Sequence, residues 1–185
     1  MPDKPFHQFI VAGVPTAGKS TFSRELIKKY FVQHICIDPI IEGFEDVFPQ
    51  LGITHDADNL NDHLKVCQNF KPFLFRMIES LKHDDFVFDG FRLPFEDLHA
   101  TYPHLQYFVF GYPNSTPQER LDCVRQFDLS NWTNEMSDTE LLNTFEFFIE
   151  ESKRLQRICQ HLNIPFYDTG KDYLPNIEAA LQITR

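Results

Sequence analysis

The chain of 185 residues lacks any close pairing of cysteines, any excess of positive charge and any long apolar run. Its four cysteines stand apart at positions 36, 67, 123 and 159 with no C-x-x-C pair, which suggests neither a zinc site nor a disulfide scaffold and points to a reduced compartment. With 17 Lys and Arg against 27 Asp and Glu, the formal net charge of −10 opposes binding to long nucleic acid or an anionic membrane, while leaving room for one local basic pocket. The start, Met-Pro-Asp-Lys-Pro-Phe-His, has no charged leader followed by an apolar run, and no stretch approaches a membrane span, so a soluble, cytoplasmic protein is expected. Tryptophan is almost missing: one residue against 20 Phe. Without a basic groove beside them these Phe residues are expected to fill core and pocket walls, not to stack nucleic-acid bases. No repeat, low-complexity tract or linker divides the sequence, so residues 1–185 read as one domain.

What is present is organised around Gly13-Val14-Pro15-Thr16-Ala17-Gly18-Lys19-Ser20, which fits G-x-x-x-x-G-K-[ST] at every fixed position. Gly13 and Gly18 let the backbone turn tightly without a Cβ, so that N–H groups converge on phosphate oxygens and the next helix starts facing them. Lys19, expected in a solvent-facing loop, adds a point charge for β- and γ-phosphates. Ser20 offers a hydroxyl to Mg²⁺, with Thr21 beside it as the substitute. The context agrees: Phe9 to Ala12 reads as a buried strand entering the loop, and Thr21 to Phe31 as a helix leaving it, with Phe22, Leu26, Ile27 and Tyr30 on one face.

Further along, His34 to Asp38 reads as a strand stopped by Pro39, which puts Asp38 at a strand end as a functional carboxylate or a turn-former. Glu42 to Asp58, with Pro49 and Gly52, reads as loop with at most a helical turn. From 58 to 82 the apolar spacing is helical but Pro72 interrupts it, giving either two helices, 58–69 and 72–82, or one bent helix. His63, Lys65, Lys71 and Arg76 lie there within reach of an anionic acceptor. Asp85 to Asp89 is a third strand with Gly90 turning after it, and Asp89 sits where the acid that holds Mg²⁺ beside a loop Ser is expected. Arg92 points to the same strand-end region. Pro94 begins a short helix through Ala100, and Leu105 to Tyr112 is a fourth strand.

Thr116, Pro117 and Glu119 then form a capping box that launches a helix to Phe127 carrying Arg120 and Arg125. Residues 128 to 136 read as a polar loop. Ser137 to Glu140 is a second capping box, opening the longest helix on a stripe of Leu141, Phe145, Phe148, Ser152, Leu155, Cys159 and Leu162. Ile164 to Tyr167 is a fifth strand, followed by the loop Asp168-Thr169-Gly170-Lys171 and a last helix from 175 to 182. The strict β–α alternation predicts a parallel sheet with helices on both faces and right-handed crossovers.

With Gly13 to Ser20, Asp38, Asp89-Gly90-Phe91-Arg92 and the Arg120/Arg125 helix before a polar loop, the chain resembles the small phosphate-loop kinases related to adenylate kinase. The likeness spans most of the chain, though only the loop is a highly specific motif. It implies a three-layer P-loop NTPase fold with a five-stranded parallel sheet in the order 2-3-1-4-5, ATP and Mg²⁺ as cofactors, an acceptor-binding region at 39–82 and a lid at 128–137. Carried over by position, Lys19 and Ser20 match the loop pair, Asp89 the acid after the third strand, Arg120 and Arg125 the lid-base arginines, and Asp168-Thr169-Gly170 the loop near adenine. The chain departs where nucleoside monophosphate kinases have Asp-Gly-Phe-Pro-Arg, since Asp89-Gly90-Phe91-Arg92 lacks the proline, and its lid arginines are spaced differently.

The leading expectation is transfer of the ATP γ-phosphoryl group to a small-molecule acceptor. An acid like Asp38 favours a hydroxyl acceptor, as general base or as holder of a Mg²⁺-bound water, while Arg76 and Arg92 keep a phosphate acceptor open. No Asn-Lys-x-Asp element for reading guanine and no ATP-binding-cassette signature is present. A nucleotide-binding regulatory protein without turnover remains the alternative of another class.

Overall fold

The structure, a computed structural model, describes residues 6–57, 59–127 and 131–184. Its strands β1 (Gln8–Gly13), β2 (Gln33–Cys36), β3 (Phe86–Gly90), β4 (Gln106–Gly111) and β5 (Phe166–Asp168) pair in the order β2-β3-β1-β4-β5. Every pairing is parallel. The central strand β1 is buried along its whole length, the mark of a strand covered on both faces. Its residues divide by alternation: Phe9 and Val11 join one apolar cluster, Ile10 and Ala12 the other.

The first cluster is closed by Phe22 and Leu26 of helix α1 (Lys19–Tyr30), and further on by Leu121 and Val124 of α5 (Pro117–Phe127) and Ile177 of α8 (Tyr173–Gln182). The second takes Ile41 of α2 (Asp38–Val47), Phe70, Leu74 and Ile78 of α3 (Leu60–Ser80), and Leu98 of α4 (Phe95–Thr101). The long helix α7 (Asp138–Leu162) serves both, with Phe145 and Phe148 in the first cluster and Leu155 and Cys159 in the second. Phenylalanine supplies much of both cores, as its abundance predicts. Both capping boxes form: the Thr116 N–H donates to Glu119 Oε2 (2.7 Å) and the Ser137 N–H to Glu140 Oε2 (2.8 Å).

Two local expectations need correction, and one open alternative is decided. Asp38 is the first residue of α2 and not the last of β2, because Pro39 falls in the first turn of a helix, where a missing N–H costs nothing and φ is already helical. The segment after it is accordingly a ten-residue helix followed by the 3-10 turn Pro49–Leu51, where a loop was expected. At Pro72 the structure selects a single helix of 21 residues. Pro72 is exposed, while Phe70 and Leu74 on either side are fully buried, so packing of the apolar face outweighs the lost backbone bond.

Of the expected lid at 128–137, residues 128–130 lie outside the described residues, and 131–135 form the short helix α6 (Asn131–Glu135) instead of loop. None of the described helices is long and apolar enough to cross a membrane.

Candidate functional site

β1 runs directly into the loop at 14–18, and α1 starts at Lys19. Gly13 has φ 142° and Gly18 φ 97°, and a Cβ at Gly13 would collide with the Phe110 carbonyl oxygen on β4. Thr16 adds a third left-handed residue, at φ 60°. The loop carbonyls are taken one after another by side chains. Val14 O accepts from Lys19 Nζ (2.9 Å), Pro15 O from the Tyr112 hydroxyl (3.0 Å), Thr16 O from Arg120 Nη2 (3.3 Å) and Ala17 O from Thr169 Oγ1 (3.0 Å). Fixing the carbonyls in this way is what leaves the N–H groups of such a loop for an anion, at the positive end of α1.

Lys19 is buried, with 8% of its surface exposed, which corrects the expectation of a solvent-facing side chain. Burial pushes its pKa below the ordinary lysine value, and the carboxylates of Asp38 and Asp89 pull it back up. Thr169 is also buried, and its hydroxyl bonds Ala17 O and Gly111 O, so it braces the loop from behind. Asp168 shapes its own turn, accepting from the Gly170 N–H (3.0 Å) and from Asn114 Nδ2 (2.8 Å). Thr21 donates to or accepts from Tyr173 OH (2.8 Å), whereas the Ser20 side of the first turn is exposed. Of the two hydroxyls, Ser20 is the one left for a cation.

Asp89 lies at the carboxyl end of β3, opposite Val11 of β1. It is 1% exposed, and its Oδ2 lies 3.1 Å from Nε2 of His34 on β2. A buried charge needs a partner, and a buried acid whose Oδ1 has no hydrogen-bond partner among the described residues, next to a phosphate loop, fits a Mg²⁺ site. No group of three or more His, Cys, Asp and Glu suited to a metal occurs among the described residues. One carboxylate and one hydroxyl, with the remaining positions filled by water and phosphate oxygens, is the sparse donor set that Mg²⁺ accepts. Asp38 is half-buried across from this acid, and its Oδ1 accepts from the Phe91 N–H at 3.5 Å.

The four arginines singled out by sequence part company. Arg120 is 4% exposed, bonds Thr16 Oγ1 at 3.1 Å and lies over the Tyr112 ring at 4.1 Å, so it does reach the phosphate loop. Arg125 does not share that work: it binds Asp138 Oδ1 through Nε (3.0 Å) and Nη2 (2.7 Å), and donates to Thr133 O (2.8 Å) and Met136 O (2.9 Å). It fastens α5 to α6 and to the start of α7. Arg76 is exposed on α3, thirteen residues beyond His63 and therefore about 20 Å along the helix from the strand-end region. Lys71 is likewise engaged elsewhere, with Asp97 at 3.0 Å.

Arg92 is 4% exposed and belongs to a buried chain of polar groups that sequence reading did not find. Its Nη2 donates to His55 O (2.6 Å), and its Nη1 meets His63 Nδ1 (2.8 Å). A guanidinium only donates, so Nδ1 accepts and the imidazole proton sits on Nε2. That nitrogen faces Glu151 Oε1 at 3.5 Å. Glu151 in turn takes Arg154 Nε (2.7 Å) and Nη2 (3.0 Å), and Arg154 reaches Glu96 (2.9 Å). Burial lowers the His63 pKa, with Glu151 opposing. Burial alone would raise Glu151, but its bonds to His63 and Arg154 outweigh that and hold it below the ordinary value. A signal existed: His63 stands between Leu60 and Cys67, and Glu151 between Phe148 and Leu155, at the spacing of each helix's buried stripe.

No protein-family model and no curated protein matches the sequence. Solved structures do. A shikimate kinase from Bacteroides thetaiotaomicron superposes with TM-score 0.54 at 15% identity, over 95% of this chain and 94% of the other. A deoxyadenosine kinase from M. mycoides matches with TM-score 0.45 at 16% identity, over 94% of this chain and 97% of the other. The first likeness shows the fold, an α/β architecture with a five-stranded parallel sheet.

Proposed function

We propose that the protein is an ATP-dependent kinase that transfers the γ-phosphoryl group to a hydroxyl of a small-molecule acceptor, such as a nucleoside or another metabolite. The observation that carries this reading is the pair of carboxylates, Asp38 and Asp89, set close enough to Lys19 for both to act on its charge. A phosphate acceptor arriving there would meet two negative groups, with Arg76 remote and Arg92 engaged by His55 and His63. A hydroxyl acceptor gains from the same arrangement. The similarity of fold to kinases supports the reaction class.

In this reading the loop N–H groups, Lys19 and Arg120 hold the triphosphate and spread its developing charge. Mg²⁺, held by Ser20 and Asp89, would supply neutralisation of the β- and γ-phosphate oxygens. Asp38 takes the proton of the acceptor hydroxyl as the oxygen bonds the γ-phosphorus, and the bridging P–O bond breaks to release ADP. Among the described residues, 131–137 are assigned as part of the lid over the nucleotide, with Arg125 as the fastening point.

ATP consumption measured with a panel of nucleosides, nucleotides and small hydroxylated metabolites tests the proposal. At least one hydroxyl acceptor should be turned over, and Asp38→Asn should slow that turnover by ~10² to 10⁴ while ATP affinity stays within a factor of about two. Turnover of nucleoside monophosphates alone, or full activity of Asp38→Asn, would reject the hydroxyl reading. Nucleotide binding with no turnover of any acceptor would leave the regulatory protein as the better account.

A further inference from the structure

The edge strand β2 carries two side chains that the proposed reaction does not use. Cys36 is paired in register with Asp89 across the β2–β3 ladder, and His34, two residues earlier, shares its face. Both act on the acid. Burial first, and Asp89 second, push the Cys36 thiol up to about 12, so it stays a neutral neighbour. His34 is different: its Nε2 lies 3.1 Å from Asp89 Oδ2, and its side chain is 34% exposed. The imidazole thus reaches inward from the sheet edge to one oxygen of a buried carboxylate whose other oxygen, Oδ1, has no hydrogen-bond partner among the described residues.

A carboxylate on a single χ2 torsion has a broad orientational preference, so burial alone does not decide which oxygen faces the nucleotide. An N–H donor on a neighbouring strand does decide it, because β2 and β3 are held in register. Groups behind a metal-binding carboxylate commonly fix its direction, and losing one typically lowers metal affinity about 10- to 100-fold. Resting on the reading of Ser20 and Asp89 given above, we propose that His34 is a positioning residue for the Mg²⁺ site. Its Nε2–H engages Oδ2 of Asp89 and leaves Oδ1 as the oxygen available to the hydration shell of nucleotide-bound Mg²⁺. The role needs a donor at one ring position only.

The test measures metal and nucleotide binding, not turnover. A non-hydrolysable ATP analogue is titrated calorimetrically with excess Mg²⁺ and with chelator, and Mn²⁺ affinity of the nucleotide complex is read by electron paramagnetic resonance. His34→Ala should lower Mn²⁺ affinity about tenfold or more and leave chelated-nucleotide affinity unchanged, and His34→Gln, which keeps an N–H at similar reach, should restore most of it. Wild-type Mn²⁺ affinity in His34→Ala, alongside a loss in Asp89→Asn, overturns the proposal while the site reading stands. Equal loss of chelated and metal-loaded binding in His34→Ala, without rescue by Gln, marks a merely structural residue and also overturns it. If the wild-type analogue binds no better with metal, or if Lys19→Ala binds as wild type, the phosphate-loop reading itself falls, and this proposal with it.

Discussion

The phosphate loop and the cluster around Arg92 both hold charged groups in a buried place, and they do so over different ranges of sequence. Around the loop, Lys19 caps a carbonyl only five residues away and the glycines that shape the turn belong to the same eight-residue motif, while Tyr112, Arg120 and Thr169 brace the other carbonyls from distant parts of the chain. Around Arg92, the partners come from His55, His63 and, through the imidazole, Glu151 and Arg154 on α7. A turn whose path is set by its own glycines depends less on its distant braces. A site built from distant helices ties its own geometry to the packing of the whole domain.

The largest effect should come from breaking the distributed side. Glu151→Ala leaves the His63 Nε2–H without its acceptor in the interior and Arg154 with Glu96 alone, and removing one member of a buried ionic set typically destabilises by about 3 to 5 kcal/mol. Urea denaturation measures this. Replacing His63 and Glu151 together by leucine should recover part of the loss, because apolar substitutes of similar volume remove the desolvation penalty as well as the pair. A loss under ~1 kcal/mol in Glu151→Ala would mean that the chain of contacts carries little energy, and the contrast with the loop would collapse.

Lys19→Ala tests the local side. Nucleotide affinity should fall by about 1.5 to 3 kcal/mol, the range for a hydrogen bond to a charged group, with larger losses possible where several oxygens share the lysine. Stability of the nucleotide-free protein should not fall in step. Burial depresses the Lys19 pKa, so the folded state holds that charge at a cost that the alanine variant no longer bears. Calorimetry and thermal melting read the two quantities separately. A parallel drop in both would show that Lys19 holds the core and not only the ligand.

Acidification should separate the two regions next. His63 has a folded pKa below its ordinary 6.5, so as pH falls past that value the unfolded chain gains a proton that the folded chain refuses. Stability then declines toward acid, by at most ~1.4 kcal/mol per pH unit for this one group. Glu151, held below its ordinary 4.5, adds loss of the same sign only at lower pH, as it too must be protonated. The slope of stability between pH 6.5 and 5 should therefore be smaller in His63→Gln than in wild type. Equal slopes would remove His63 from the account.

The same contrast explains what could be read from the chain. Strand, phosphate loop and helix α1 were legible because a contiguous motif needs them in that order, and Asp89 because it ends an apolar run after such a loop. Both capping boxes were legible for the same reason. Asp38 was found as a residue but misplaced, since Pro39 stops a strand and starts a helix with equal ease, and only the burial of Ile41 on the sheet separates the two. Arg125 is expected near ATP from its position before a polar loop, and Arg76 near an anionic acceptor on charge. Their partners, Asp138 for one and solvent for the other, are set by where α6, α7 and the far end of α3 come to lie. Nothing in the spacing of Arg92, His63 and Glu151 announces that they meet, although the helical stripes do announce that His63 and Glu151 are buried.

The smallest effect gives the sharpest test, because it concerns additivity. Thr116 and Ser137 cap α5 and α7, and each satisfies backbone donors within its own first turn. Thr116→Ala and Ser137→Ala should each cost about 1 kcal/mol of unfolding free energy. The two caps lie at opposite ends of α5, since Arg125 near its last turn binds Asp138 next to Ser137, and the 11 residues of α5 span about 16 Å. Sites that far apart without shared partners should add within about 0.5 kcal/mol. His63→Ala and Glu151→Ala, joined through one contact, should instead fall short of their sum by ~1 kcal/mol or more, since the second deletion removes a group that the first had already stranded. Denaturation of the four single and two double variants supplies both cycles. Additive behaviour of the buried pair would mean that His63 and Glu151 are two separate local arrangements. Strong coupling of the two caps would mean that α5 and α7 report on each other through Arg125, and that the local side of the molecule is less local than its sequence implies.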